Sequence, residues 1–409
     1  MRMRYLVIIL VSCLWTAAAG SCKQAAEQPA AKPPIQVEES ILAVLNELAQ
    51  VKSVQPTDSA ELQASRTAAM RKAKDALLDA TKPFNGRVTI ACWLQGMGDP
   101  LSDKIINSLA TDSNGEASPD PRIIYSLGML AWNYAQQAST DPFRWKADSK
   151  SGIFAKMSLE LFNRACDAEP DNGLFTLTVA YADFFNTGRL NGTLISWNWK
   201  DEVQREAAKR IAPLLTRFAE SKGGGGMSGP PYFTPLVSWK EVPQQEAVGG
   251  LYDGVVPSSM LPACAVLVAR DFAKNKKPEE IPTLITASER LLSFVPEKYD
   301  RLSAAAISAR ELAQTIELVM VDPGKRGDAS AFTEKARGLY KAITDDWINN
   351  VAPKYSKIMG KDQAATIRIE RNFVGKYKGD VLSQLKRLRD FVATLKPEDV
   401  NTDPPPAPW

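Results

Sequence analysis

The hydrophobic and polar positions of this chain predict helices along nearly its whole length. Apolar residues recur every three or four positions, and short breaks rich in Pro, Gly, Asn or Asp separate the helical segments. The predicted helices span 38–54, 59–80, 99–110, 121–137, 152–168, 172–186, 200–222, 258–275, 278–294, 298–321, 330–350 and 362–396. One segment, 85–94, suits either a strand or the apolar edge of a helix. The pattern therefore predicts an all-α fold, and short connections favour antiparallel helical hairpins stacked side by side.

The last predicted helix combines a continuous apolar stripe with a basic outer surface. The stripe consists of Val374, Tyr377, Val381, Leu385, Leu388, Val392 and Leu395. Between positions 354 and 396 there are eleven Lys or Arg residues against four acids. The stripe favours packing on the preceding helices, with Gly375 and Gly379 as points of close approach. The alternative is a helix that lies on anionic lipid or on a cell-wall polymer.

A repeat-like motif lies in the first half of the chain. Its residues are Ser158, Phe162, Ala165 and Pro170. This spacing of small and large side chains resembles the second half of a tetratricopeptide repeat, and Leu127-Gly128 is similar to the pair in its first helix. The resemblance covers 122–187 and implies paired helices in that part of the fold.

The same region departs from the repeat pattern in two ways. Ala131 and Asp183 stand where the repeat has Tyr. In addition, about 18 extra residues around 141–145 interrupt the first hairpin. The segment 278–396 contains no further copy of the motif, so its helices are predicted only as a helical array.

The amino terminus indicates the cellular compartment. Arg2 and Arg4 precede the apolar run 5–19, which is too short to cross a bilayer and has the layout of a secretory signal. The residues that follow, Gly20-Ser21-Cys22 after Ala19, resemble the lipobox of bacterial lipoproteins. That resemblance implies that Cys22 is acylated and becomes the mature amino terminus. The alternative is ordinary signal-peptide cleavage with Cys22 merely nearby.

The segment after Cys22 suits a lipid-anchored protein. Positions 23–34 are polar, Ala-rich and Pro-containing, which is typical of an extended tether. Lys23 occupies the position of the inner-membrane retention Asp of enteric-type lipoproteins, so the resemblance implies the outer membrane. The predicted organisation is a signal peptide (1–21), a tether (22–37), a helical domain (38–222), a Gly/Pro-rich loop (223–243), a helical array (244–397) and a Pro-rich tail (398–409).

Composition excludes several classes of function. The 409 residues include no His, which removes Ser-His-Asp and Cys-His catalysis, His-containing zinc sites and C-x-x-C-H haem attachment. Without the signal peptide, 50 − 2 = 48 basic residues stand against 47 acidic ones, so bulk charge does not favour nucleic acid as a partner. No cofactor is predicted. Cys92, Cys166 and Cys264 lie in apolar surroundings and suit buried thiols, with one disulfide as the alternative.

Two groups of residues are candidates for a functional site. The aromatic residues Trp197, Trp199, Tyr232, Phe233 and Trp239 lie in or near the Gly/Pro-rich loop. They suit either a ligand-binding platform or core anchors. The acidic residues are Asp183, Asp201, Glu202, Asp345 and Asp346. Two of them at the right separation would serve an inverting glycosidase, although acidic pairs on helices are usually solvated surface.

The sequence therefore predicts a membrane-anchored periplasmic lipoprotein that works as a binding or scaffold protein. Its expected partners are the lipid bilayer, through acylated Cys22, and a protein, peptide or glycan held on a helical surface. The alternative function is a carbohydrate-active α/α enzyme that uses a carboxylate pair.

Overall fold

The fold of the described residues is all-α, as the sequence predicts. The computed structural model describes residues 38–51, 57–99, 101–115, 120–141, 144–194, 196–221, 261–292, 299–319, 323–358 and 363–400. These residues form helices and turns and contain no strand, although Asn172 and Val400 each have a single β-bridge assignment. None of the described helices has both the length and the apolar character needed to cross a bilayer.

The described residues fall into two compact units. The first contains α1 (Glu39–Val51), α2 (Ala60–Leu78), α3 (Phe84–Gly96), α4 (Asp103–Gly115), α5 (Pro121–Gln137) and α6 (Lys150–Ala168). Helix α2 packs on α1 and α3, while α3 and α4 pack on α5, which lies against α6. The fully buried core of this unit includes Leu45, Leu48, Leu77, Ile90 and Trp93.

The second unit contains the remaining helices. They are α7 (Gly173–Leu190), α8 (Asp201–Glu220), α9 (Leu261–Lys274), α10 (Ile281–Leu292), α11 (Tyr299–Val319), α12 (Pro323–Asp346), α13 (Ala352–Ile358) and α14 (Gln363–Val392). Helix α7 packs on α8 and α9, and α10 packs on α8, α11 and α14. Nearly every side chain of α7 is buried, so this helix forms the interior of its unit.

Local sequence determines where several helices begin. Asp120 accepts a hydrogen bond from the Arg122 backbone N–H at 2.8 Å, and Pro121 occupies the first helical position of α5. Asp120 thus satisfies a backbone N–H of the first turn, and Pro121 restricts its own φ to a helical value. The helix has the predicted bounds 121–137. Asn172 caps α7 in the same way through the Leu174 N–H.

The strand-like segment 85–94 is helical, so the strand alternative is wrong. It lies within α3, where Val88, Ile90, Trp93 and Leu94 are all buried. A helix that is covered on several sides has an almost continuous apolar sequence. The apolar run therefore reflects burial and not the two-residue period of a strand.

Several predicted helix ends are also wrong, among them the end of the helix 172–186, which continues to Leu190. Helix α4 continues to Gly115, beyond the predicted end at 110, because long-range contacts support its last turn. Arg87 binds Asp112 at 2.6 Å, and the Arg164 guanidinium donates to the Ser113 hydroxyl and carbonyl, each at 2.9 Å. The predicted helix 330–350 begins earlier, at Pro323, and widens into a π-helix at Trp347–Val351.

The stripe on α14 packs inside the second unit. Val374, Val381, Leu385, Leu388 and Val392 are buried, and α14 lies against α10, α11 and α12. The stripe is therefore a packing surface. The basic residues Arg368, Arg371, Lys386 and Arg387 are on the exposed side of the helix.

The expected close approach at Gly375 and Gly379 is wrong. Both glycines are exposed, and a Cβ built at either position would have no heavy atom within 4 Å. Gly128 in α5 is the opposite case, because its Cβ would lie 2.6 Å from Cε1 of Phe162 in α6. A glycine thus allows close contact between helices α5 and α6, at Gly128, and does not do so on α14.

Replacing Gly379 with Ala should raise the free energy of unfolding by about 0.5–1 kcal/mol, since an exposed helical Gly costs backbone entropy and makes no compensating contact. Gly128→Ala is the matched control and should lower the same quantity by about 1–3 kcal/mol, because Phe162 must move. Urea unfolding followed by far-UV circular dichroism measures both. A Gly379→Ala variant less stable than the parent would show that this face is covered.

The three cysteines of the described residues are thiols, as the sequence favours. Cys92, Cys166 and Cys264 are all buried and none forms a disulfide. Burial raises the pKa of the Cys264 thiol, whose Sγ lies 3.8 Å from the Ala180 carbonyl oxygen. We therefore regard Cys264 as an apolar core residue of low reactivity.

Candidate functional site

Trp199, one of the predicted ligand-binding residues, lies in the core of the second unit. Its side chain is 4% exposed, and its ring centroid is 5.2 Å from that of Phe184 on α7. Its indole Nε1–H donates a hydrogen bond of 2.9 Å to the Thr193 carbonyl oxygen. These contacts support the core-anchor interpretation of Trp199.

Of the other predicted aromatic residues, Trp197 has its backbone in the 3₁₀ turn Ser196–Asn198. Tyr232, Phe233 and Trp239 are outside the described residues, as is the predicted lipidation site Cys22. A ligand platform made by these residues stays a prediction.

The carboxylate of Asp183 is engaged in an ion pair inside the second unit. It accepts two hydrogen bonds from the Arg210 guanidinium, at 2.8 and 2.9 Å, and one from the Thr187 hydroxyl at 3.3 Å. The Asp183 side chain is nearly buried while that of Arg210 is half exposed. This geometry suits a structural pair that joins α7 to α8.

Other candidate acids are also bound to cations. Asp346 accepts hydrogen bonds from Lys376, Asn350 and Tyr377, which lower its pKa to about 2. Asp345 pairs with Lys341 at 2.5 Å, and Asp201 pairs with Lys274 at 3.0 Å. A glycosidase general acid needs a raised pKa. Asp346 therefore has the opposite electrostatics.

Arg189, in the last turn of α7, lies among aromatic side chains. The helical spacing of four residues places Tyr181, Phe185 and Arg189 along one stripe. The Arg189 guanidinium carbon lies 4.7 Å from the ring centroid of Phe185 and 5.9 Å from that of Trp145. Trp145 and Phe185 meet edge to face at 5.7 Å. The cation thus lies against two aromatic walls, the rings of Phe185 and Trp145, and its side chain is half-buried.

Two hydrogen-bond donors of Arg189 have no acceptor. Its Nε and Nη1 atoms are buried and make no hydrogen bond. Burial lowers the pKa of Arg189, while Tyr181 and Asp141 act through space to raise it. Burial also raises the pKa of the neighbouring Tyr181 phenol to about 12, so this hydroxyl stays protonated. An unbonded buried donor costs about 1–3 kcal/mol, so an acceptor would be favoured here.

The backbone orients the Trp145 wall. The Trp145 N–H donates to the Arg189 carbonyl oxygen at 2.9 Å, which ties this loop to the end of α7. Gly192, with φ +76°, makes the turn that follows, a conformation that few side chains tolerate. Trp145 belongs to the insertion that interrupts the repeat-like hairpin. Sequence reasoning missed Arg189, although the spacing of Tyr181, Phe185 and Arg189 is a signal for it.

A second surface feature lies in the first unit, between α1 and α2. It is an open groove of about 520 Å³ with small side chains at Ala68 and Ala69. Charged residues, including the ion-paired Glu47 and Lys72, line its edges. Within the described ranges, no group of three or more Cys, Asp or Glu side chains is placed to hold a metal ion.

Comparison with protein-family models, with curated proteins and with solved structures gave no match to this chain. The functional interpretation therefore depends on the residues and their geometry.

Proposed function

We propose that this protein is a lipid-anchored binding protein of the bacterial cell envelope. In this proposal, acylated Cys22 holds it at the outer membrane, and the helical domain faces the periplasm and binds a protein, peptide or glycan. The lipobox-like residues and the Ala/Pro-rich tether support the anchor. More than one acyl chain is needed for stable anchoring, because a single chain binds marginally.

The contrast between the polar groups of α7 is the observation that carries the binding role. On one side of this helix, Asp183 is fully engaged with Arg210. On another side of the helix, the Arg189 guanidinium lies beside two aromatic rings, and two of its nitrogen atoms have no hydrogen-bond acceptor. Unused donors beside apolar walls are typical of a ligand site. The enzymatic alternative has no comparable support, since Asp346, one of its candidate acids, has a lowered pKa.

We also propose that 121–168 forms a tetratricopeptide-like helical pair within an array of hairpins. The contact between α5 and α6 supports this arrangement. So does the position of Gly128 against Phe162, where a small residue faces a large one. Ser158 and Ala165 of the motif are both buried. Helical arrays of this type offer extended surfaces to peptides and proteins.

Cells that produce the full chain and grow with an alkyne fatty acid should incorporate the label into this protein, and Cys22→Ala should abolish it. The thiol of Cys22 is the proposed acceptor, so membrane association should be lost with the label. Cys13→Ala is the matched control, because Cys13 lies within the predicted signal peptide and should not affect labelling. Label that persists in Cys22→Ala would refute the anchor.

A further inference from the structure

We propose that Arg189, assisted by Arg144, binds the carboxylate or phosphate group of this protein's partner. This oxyanion site rests on the proposed binding function and names the chemistry that the partner presents. It lies entirely in the second unit, at the carboxyl end of α7.

The hydrogen-bonding state of Arg189 is the first argument. A guanidinium is a cation with five donors, and its natural partners in proteins are carboxylate and phosphate oxygens. The buried Nε and Nη1 atoms have none. Arg210, which projects from α8 towards the same helix, provides an internal comparison because its Nε and Nη2 atoms bind the Asp183 carboxylate. No carboxylate of the described residues binds these two Arg189 atoms as Asp183 binds Arg210.

The surroundings of Arg189 are the second argument. The rings of Phe185 and Trp145 lie beside the guanidinium and limit its access to water. Trp145 is buried, and its backbone N–H is hydrogen-bonded to the Arg189 carbonyl, so the position of the Trp145 ring is fixed. Partial exclusion of water strengthens an ionic hydrogen bond made at this point.

Local charge is the third argument. The exposed Arg144 lies over the turn after α7, with its Cδ 3.7 Å from the position that a Cβ on Gly192 would take. Asp141 is the acid that interacts with Arg189 through space. The two guanidinium groups of Arg144 and Arg189 give this end of α7 a positive charge that attracts a negatively charged group. The insertion around 141–145 thus carries both the aromatic wall and the second cation.

Titration of the full chain in detergent with sodium phosphate or sodium acetate tests this site. The protein is labelled with ¹⁵N-arginine, chloride keeps the ionic strength constant, and Arg189→Gln assigns the Arg189 Nε–H signal. That signal should shift saturably, while the Arg210 signal should not move. A lower half-saturation concentration for phosphate assigns a phosphate group to the partner, and a lower one for acetate assigns a carboxylate.

Arg144→Gln provides a variant that leaves the aromatic walls intact, because Arg144 is exposed. The half-saturation concentration should rise about tenfold, the size expected for one hydrogen bond to a charged group. An Arg189 signal that neither anion shifts, or an affinity unchanged by Arg144→Gln, would overturn the two-arginine site. Fatty-acid labelling of Cys22 is a separate readout, so failure of the anion site and failure of the anchor are distinguishable.

Discussion

Trp199→Ala should lower the free energy of unfolding by about 3–5 kcal/mol, the cost of removing a large aromatic side chain from a core. The ring of Trp199 packs on Phe184, and its Nε1–H is the hydrogen-bond partner of the Thr193 carbonyl. The substitution leaves a cavity beside α7 and removes the indole donor from the Thr193 carbonyl in the turn after it. Urea unfolding followed by far-UV circular dichroism measures the loss without depending on tryptophan fluorescence.

Trp199→Phe separates packing from hydrogen bonding at this position. It keeps an aromatic ring beside Phe184 and removes the donor to Thr193. We expect a smaller loss than for Trp199→Ala, because much of the apolar contact is retained. If Trp199→Ala left the unfolding curve unchanged and weakened partner binding instead, Trp199 would be a ligand residue and the core-anchor interpretation would be wrong.

Leu385→Ala should lower the free energy of unfolding by about 2–5 kcal/mol. Leu385 is fully buried at the middle of the α14 stripe, which packs against α10, α11 and α12. Truncation to Ala removes apolar contacts on the inner side of the helix and leaves a cavity. The melting temperature and the urea midpoint of the full chain should both fall.

Lys386→Ala is the matched control for Leu385→Ala, because Lys386 is the next residue and is exposed. It should change stability by less than about 0.5 kcal/mol. The alternative of a membrane-surface helix predicts another pattern, in which Leu385→Ala leaves melting unchanged and weakens binding to anionic vesicles. That pattern would contradict a packed stripe.

Local chemistry accounts for the parts of the fold that sequence reasoning predicted well. Helix α5 begins where the sequence predicts because Asp120 and Pro121 act within one turn of its start. The inner and outer faces of α14 follow from the spacing of Val381, Leu385 and Leu388 along a helix. These features depend on residues close together in sequence, so no knowledge of tertiary contacts was needed to predict them.

Long-range contacts account for the errors. The segment 85–94 suits a strand as well as a helix because a helix buried on several sides loses its polar face, and burial is a tertiary property. The last turn of α4 depends on Arg87 and Arg164, which are distant in sequence. Gly379 illustrates the same limit. The sequence alone does not distinguish a glycine at a close helix contact from a glycine on an exposed turn of a helix.

The candidate site shows the same division between local and tertiary information. The residue types and spacing of the amino terminus were sufficient to propose Cys22 as an anchor, and the absence of His excluded whole classes of chemistry. The sequence also showed that an insertion around 141–145 breaks the repeat-like pattern. Only the tertiary structure brought Trp145 from that insertion onto Arg189 and left two guanidinium donors without an acceptor. The environment of a charge depends on every group around it, and groups distant along the chain become neighbours only when the chain folds.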